Sequence, residues 1–170
     1  IFPKNTKDVQ NTVKWVSKNK KGHPELSITP RSAGTDMSGG PLGQSVVMDF
    51  TRYMNKIGKI TENSGVVESG CFYRDYDKET RKKGLFMPAY TASRDICAVG
   101  GMVANNSGGE KSIKYGKVEN HLKALRVVFS DGQEYEIKPM TLVELKAKIV
   151  QKNFEGNLYK KLFDLIQQNY

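Results

Sequence analysis

The sequence predicts an α+β fold in two lobes. Helix-period and strand patterns alternate over its first half, strands then cluster between residues 122 and 137, and two long glycine-rich segments, 30–43 and 88–116, interrupt them. Irregular segments of that length inside a packed domain are usually functional or disordered, and these two are flanked by strand patterns and carry packable residues.

From Pro3 to Asn19, Val9, Val13 and Val16 recur at helical spacing, with Thr6 placed to cap and Asp8 in the first turn. Gly22-His23-Pro24 ends that helix. Leu26 to Thr29 reads as a short strand running into the first glycine-rich loop, and Ser45 to Phe50 as the next strand. Val66 to Glu68 forms another, turning at Ser69-Gly70 into a helix from Phe72 to Lys83, with Gly84 as its C′ residue. Phe86 to Gly116 shows little regular pattern. Leu122 to Phe129 and Glu134 to Ile137 make a hairpin about Asp131-Gly132. Thr141-Leu142-Val143-Glu144 is a capping box. A last helix places Leu158, Leu162, Phe163, Leu165 and Ile166 on one side.

The 170 residues suit one domain or two small lobes. No apolar run approaches the ~20 residues a membrane-spanning helix needs. Ile1-Phe2-Pro3-Lys4 has no signal-peptide pattern and enters a helix almost at once, so the chain reads as part of a longer polypeptide. Two cysteines, Cys71 and Cys97, are too few for a disulfide framework and lack metal-ligand spacing, so a reducing, cytoplasmic setting and no metal are expected. The balance of 27 basic against 18 acidic residues gives +9. The cations are spread along the helices, which suits a solvated basic surface or an anionic cofactor; no nucleic-acid-binding signature accompanies them. His23 and His121 read as surface or structural residues.

The first loop, Arg31-Ser32-Ala33-Gly34-Thr35-Asp36-Met37-Ser38-Gly39, offers consecutive backbone N–H groups, the hydroxyls of Ser32, Thr35 and Ser38, and one cation. Glycines let the backbone approach an anion closely, as phosphate nests require. The second segment repeats the chemistry with Thr91, Ser93, Gly100-Gly101, Asn105-Asn106-Ser107 and Gly108-Gly109. Two donor-rich loops suit a ligand with two phosphates. Neither GxxxxGK[ST] nor GxGxxG is present, so a P-loop or Rossmann site is not expected. On the residues alone, plain turns remain an equal reading.

Arg31 to Gly39 resembles the R-G-x-G-T-x-x-x-G loop of the vanillyl-alcohol-oxidase (PCMH-type) FAD-binding domain. Val99-Gly100-Gly101-Met102-Val103-Ala104-Asn105-Asn106-Ser107-Gly108, followed by Lys114-Tyr115-Gly116, is similar to that family's second signature. Val47 to Ile57, Ser69-Gly70 and Val127 to Gly132 match intervening and later segments, in order, from about Phe2 to Ile137. Within the family the likeness is to the FAD-linked oxidases of the glycolate oxidase and D-lactate dehydrogenase type.

That resemblance implies a small mixed-sheet lobe over 1–60, a larger, mainly antiparallel lobe over 61–140, and C-terminal helices over 141–170 leading to the rest of a longer chain. It implies FAD as cofactor, with Arg31, Ser32, Ala33, Gly34, Thr35 and Asp36 wrapping the pyrophosphate and Ser38 adding a hydroxyl. Ser93, Arg94, Cys97, Ala98, Gly100 and Gly101 would form the opposing wall. Asn105, Asn106, Ser107 and Gly108 would reach toward the ribityl chain and ring, with Tyr115 nearby. Ser32 stands where the family has Gly, and Asp36 brings a carboxylate near an expected dianion. No histidine occupies the first loop, so the flavin is expected to be non-covalent.

The implied activity is oxidation of a 2-hydroxy acid such as D-lactate or glycolate. The small-molecule substrate would be held by a cap domain, which would also supply the catalytic residues; nothing after Ile137 resembles that cap. The electron acceptor is not legible, and peripheral contact with a membrane stays open. Two further readings stand beside this one: a module for another phosphorylated ligand without redox activity, and a basic nucleic-acid-binding domain.

Overall fold

The first helix, α1 (Thr6–Asn19), starts where Asn5 Oδ1 accepts the Asp8 N–H at 3.1 Å. Asn5 rather than Thr6 is therefore its cap; the Thr6 side chain belongs to the helix proper. The computed structural model describes all 170 residues. After α1, β1 (Ile28–Arg31) pairs in parallel with β2 (Val46–Asp49), in a register that sets Arg31 across from Asp49. The strand thus runs two residues further toward the loop than its apolar pattern indicates. Parallel neighbours need a long crossover, and residues 32–45 supply it without a helix.

An unanticipated strand, β3 (Ile57–Ile60), pairs antiparallel with β4 (Gly65–Val67) with a register irregularity. Helix α2 (Tyr73–Arg81) buries Tyr73, Tyr76 and Thr80. Past its end, Gly84 has the left-handed φ of +71° expected of a C′ residue, and the next N–H, of Leu85, donates back to Thr80 O at 3.1 Å.

The stretch expected to be irregular contains two helices, α3 (Val99–Ala104) and the single-turn α4 (Ser112–Tyr115). Tandem glycines weaken helix propensity, and α3 forms because its surroundings hold it. Its Val99 N–H donates to Cys71 O at 2.9 Å and its Gly100 N–H to Ser69 O at 2.8 Å. Met102 and Val99 are buried, Met102 among Tyr73, Ala89, Tyr90, Cys97 and Val118. Burying side chains of that size contributes roughly 1.5–3 kcal/mol each.

A 3₁₀ turn over Val118–His121 precedes the expected Leu122–Phe129 strand, whose first residues it displaces, leaving β5 (Leu125–Val128) to pair with β6 (Glu134–Ile137). Helices α5 (Leu142–Ile149) and α6 (Phe154–Asn169) follow.

Two units result. One holds Ile1–Leu122 with Val128–Tyr135; the other holds Lys123–Val127 with Glu136–Tyr170. The first contains both glycine-rich segments and both buried clusters. In the second, Lys148 Nζ meets the buried Glu155 carboxylate at 2.7 Å between α5 and α6. No helix is long and apolar enough to cross a membrane.

Candidate functional site

The end of β1 builds the first loop's charge. Arg31 Nε lies 3.9 Å from Asp49 Oδ2 across the strand pair. Asp49 is itself fixed, because its Oδ1 accepts from the Thr51 N–H at 2.8 Å and the Thr51 hydroxyl at 2.6 Å. The Arg31 guanidinium folds against Gly34, where a Cβ would overlap it. Gly34 also has φ +70°, so a side chain is excluded on two counts.

Beyond Arg31 the main-chain N–H groups of Ala33, Gly34 and Thr35 donate to no acceptor within the chain. Unspent donors beside a held guanidinium make an anion cradle. Ser32 points elsewhere, its hydroxyl donating to Ser69 O at 2.7 Å. Asp36 turns back on its own loop, accepting from Ser38 Oγ at 2.6 Å and the Gly40 N–H at 2.9 Å. Those two bonds, with a smaller one from Asn105, hold its carboxyl below the usual carboxylate range. Asp36 and Ser38 thereby shape the loop rather than present free groups.

Helix α3 faces this loop. A Cβ on Gly101 would meet only Ser32 Cβ, at 3.6 Å, so space remains there. A Cβ on Gly100 would stand 2.6 Å from Ser69 O. The two adjacent glycines thus differ: Gly100 permits close packing, and Gly101 opens toward the loop. With the Val99 and Gly100 N–H groups spent on Cys71 and Ser69, this wall offers proximity more than donors.

The other sequence-predicted residues fall into two groups. Asn105 caps the end of α3 and its Nδ2 lies 3.5 Å from Asp36 Oδ1, on the first loop. Ala98 is buried at the start of the same helix. Asn106, at φ 45°, accepts the Glu119 N–H, and Ser107 O accepts the Val118 N–H, so both brace the 3₁₀ turn. Gly108 has Ser112 Oγ against it, 2.7 Å from where a Cβ would sit. Tyr115 packs edge-on against Phe86 at 6.2 Å.

Ser93 exchanges a hydroxyl contact with Thr91, and its carbonyl accepts the Ile96 and Cys97 N–H groups. Cys97 is 3% exposed and lies in the core. Arg94 stacks over Tyr90 at 5.2 Å and borders a separate polar cleft with Arg74, Arg81 and Tyr73. The structure therefore brings Arg31–Asp36, Gly101 and Asn105 together, and sets Arg94 and the Cys97 thiol elsewhere.

Burial, with help from Asp75 and Glu68, pushes the Cys71 thiol up to about 11. The histidines are engaged locally: His23 with Glu25 at 3.3 Å and His121 with Tyr115 O at 3.0 Å. Sequence pattern marked neither Asp49 nor Ser69 as a site residue. Only the strand register and the loop's approach to α3 reveal them.

A family model described as an FAD binding domain matches residues 1–138. The chain is 27% identical over 171 residues to D-2-hydroxyglutarate dehydrogenase of Escherichia coli (strain K12), covering 99% of this chain and 16% of that protein. It is 32% identical over 136 residues to glycolate oxidase subunit GlcD of Bacillus subtilis (strain 168), covering 78% and 28%. To D-lactate dehydrogenase of Anaerostipes hadrus it is 34% identical over 132 residues, covering 75% and 26%. Among solved structures, 6-hydroxy-D-nicotine oxidase from Arthrobacter nicotinovorans superposes with a TM-score of 0.69 at 24% identity, over 84% of this chain and 30% of that one. The chain thus spans between a sixth and a third of the length of these proteins.

Proposed function

The chain belongs to the FAD binding domain family, and from that membership we propose that it is the FAD-holding part of an oxidoreductase that oxidises a 2-hydroxy acid. The D-2-hydroxyglutarate, glycolate and D-lactate named by its relatives share a hydroxyl carbon beside a carboxylate, and that common chemistry defines the substrate class. In this proposal residues 1–60 and 61–140 are the two lobes that the family resemblance implies.

The observation that carries the site is the set of unspent N–H groups at Ala33, Gly34 and Thr35, beside Arg31, in a loop whose Ser32 is the one neighbour of the open Cβ position at Gly101. These residues fit a pyrophosphate. The N–H groups would bind its oxygens, and Arg31, oriented by Asp49, would offset its charge. Gly101 would let the α3 backbone come close, and Asn105 would mark the direction of the ribityl chain. Ser93, Ala98 and Cys97 support that wall through the fold. No histidine lies in the loop, which supports a non-covalent site.

When bound, the flavin supplies the two-electron acceptor chemistry, while the chain supplies placement and a polar environment. Residues acting directly on substrate are assigned to a cap domain outside residues 1–170.

Two measurements test this. Acid precipitation of the FAD-loaded chain should release all flavin into the supernatant; flavin retained in the pellet contradicts the non-covalent site. Anaerobic mixing of the domain in its whole polypeptide with D-2-hydroxyglutarate, glycolate and D-lactate should bleach the flavin band with at least one of them. No bleaching with any, in a protein that holds FAD, overturns the substrate class.

A further inference from the structure

Two first-loop side chains outside the shared motif pattern, Ser32 and Asp36, reach opposite ends of the same short helix. Ser32 Oγ donates to Ser69 O at 2.7 Å, and that one carbonyl also accepts the Gly100 N–H of α3 at 2.8 Å. The loop's first turn and the start of α3 therefore share one acceptor. Asp36 contacts the other end, where its Oδ1 lies 3.5 Å from Nδ2 of Asn105, the C-cap of α3. Its other oxygen is held by Ser38 Oγ and the Gly40 N–H, which fix the shape of the apex over residues 36–40, so the Asn105 contact acts on a preformed turn. Between these two points in the chain lie the free N–H groups of residues 33–35 on the loop and Gly101 on the helix.

We propose that Ser32 and Asp36 are positioning residues that clamp the first loop across both ends of α3, fixing the width of the cradle before any ligand enters. This rests on the reading of that cradle as the pyrophosphate site. The physical consequence is a population effect. A loop held in its binding-competent form most of the time loses little affinity to alternative forms, whereas a loop populating that form a fifth of the time binds about five-fold more weakly. Ser32 thus restores by a hydroxyl bond what it gives up in closeness where a glycine would otherwise stand. Asp36, its charged carboxylate bonded by Ser38 and the Gly40 N–H and reaching Asn105, serves as a strut between the loop and α3.

The test has two readouts. In the first, FAD is titrated into Ser32→Ala, Asp36→Ala and Ser32→Thr chains, with flavin fluorescence giving affinity and circular dichroism the FAD-free thermal midpoint. Both alanine variants should bind FAD about five-fold more weakly or worse, Ser32→Thr should recover most of the loss, and the FAD-free midpoint should stay close to that of the parent. In the second, spin labels at Met37→Cys and Ala104→Cys, both exposed positions in a chain whose own cysteines are buried, report the loop-to-helix distance without FAD. A single narrow distribution should broaden when Ser32 or Asp36 becomes alanine. Unchanged affinity and unchanged width in both variants overturn the clamp, as does an affinity loss that merely follows loss of the FAD-free fold. A parent chain with a narrow distribution that binds no FAD overturns the pyrophosphate reading and leaves the clamp standing.

Discussion

Gly100 and Gly101 adjoin in sequence yet have opposite constraints. Alanine at Gly100 would place a methyl 2.6 Å from Ser69 O, a backbone atom that cannot yield cheaply. Overpacking of that kind costs about 1–3 kcal/mol, so Gly100→Ala should lower the thermal midpoint by about 2–4 °C per kcal/mol at this chain length. Gly101→Val should leave the midpoint nearly intact and weaken FAD binding at least ~10-fold, because the branched side chain enters the space facing Ser32. Calorimetry and FAD titration of both variants check the pair, and a Gly101→Val chain with parental affinity would contradict the α3 wall. Asp49→Asn should keep the Thr51 contacts and release Arg31, weakening FAD binding by about two- to five-fold, with the difference shrinking at high salt. At this scale the loop donors were legible in the sequence, since glycine and hydroxyl residues announce a nest. Asp49 was not, because its partner is set by strand register, which no local pattern encodes.

Among the elements, the best-read were those with local signatures. Thr141 and Glu144 form the full capping box: the Glu144 N–H reaches Thr141 Oγ1, and the Thr141 N–H reaches Glu144 Oε2 at 2.6 Å. The Thr141 bonds hold the Glu144 carboxyl below its ordinary range. The box's contribution is therefore complete above the unfolded carboxylate range, near pH 4–5, and is lost as the pH falls through the lower folded value. Helicity of the α5–α6 unit should drop on acidification, and Glu144→Gln should flatten that part of the far-UV circular dichroism titration; an unaltered acid transition would contradict the assignment. Element α3 was hidden for the converse reason. Its Gly-Gly start argues against a helix, and the Ser69 and Cys71 carbonyls with the burial of Val99 and Met102 stabilise it. The apolar reading of α6 was partly redirected: Leu158, Tyr159 and Phe163 are half-buried, whereas Leu162, Leu165 and Ile166 are exposed.

For the whole molecule, the order of motifs conveyed more than composition did. A charge of +9 fits several classes of anionic partner, and the family match over residues 1–138 selects one. Both loops of the candidate site fall in one unit, although residues 44–87 separate them in the chain, and that convergence is a property of the fold alone. The most direct measurement is a visible spectrum of the purified chain followed by titration with FAD and then FMN. A cradle built for two phosphates should give saturable FAD binding, with FMN at least ~10-fold weaker. A folded chain that takes up no FAD, or that binds FMN equally well, would contradict the dinucleotide site at Arg31–Asp36 and Gly101.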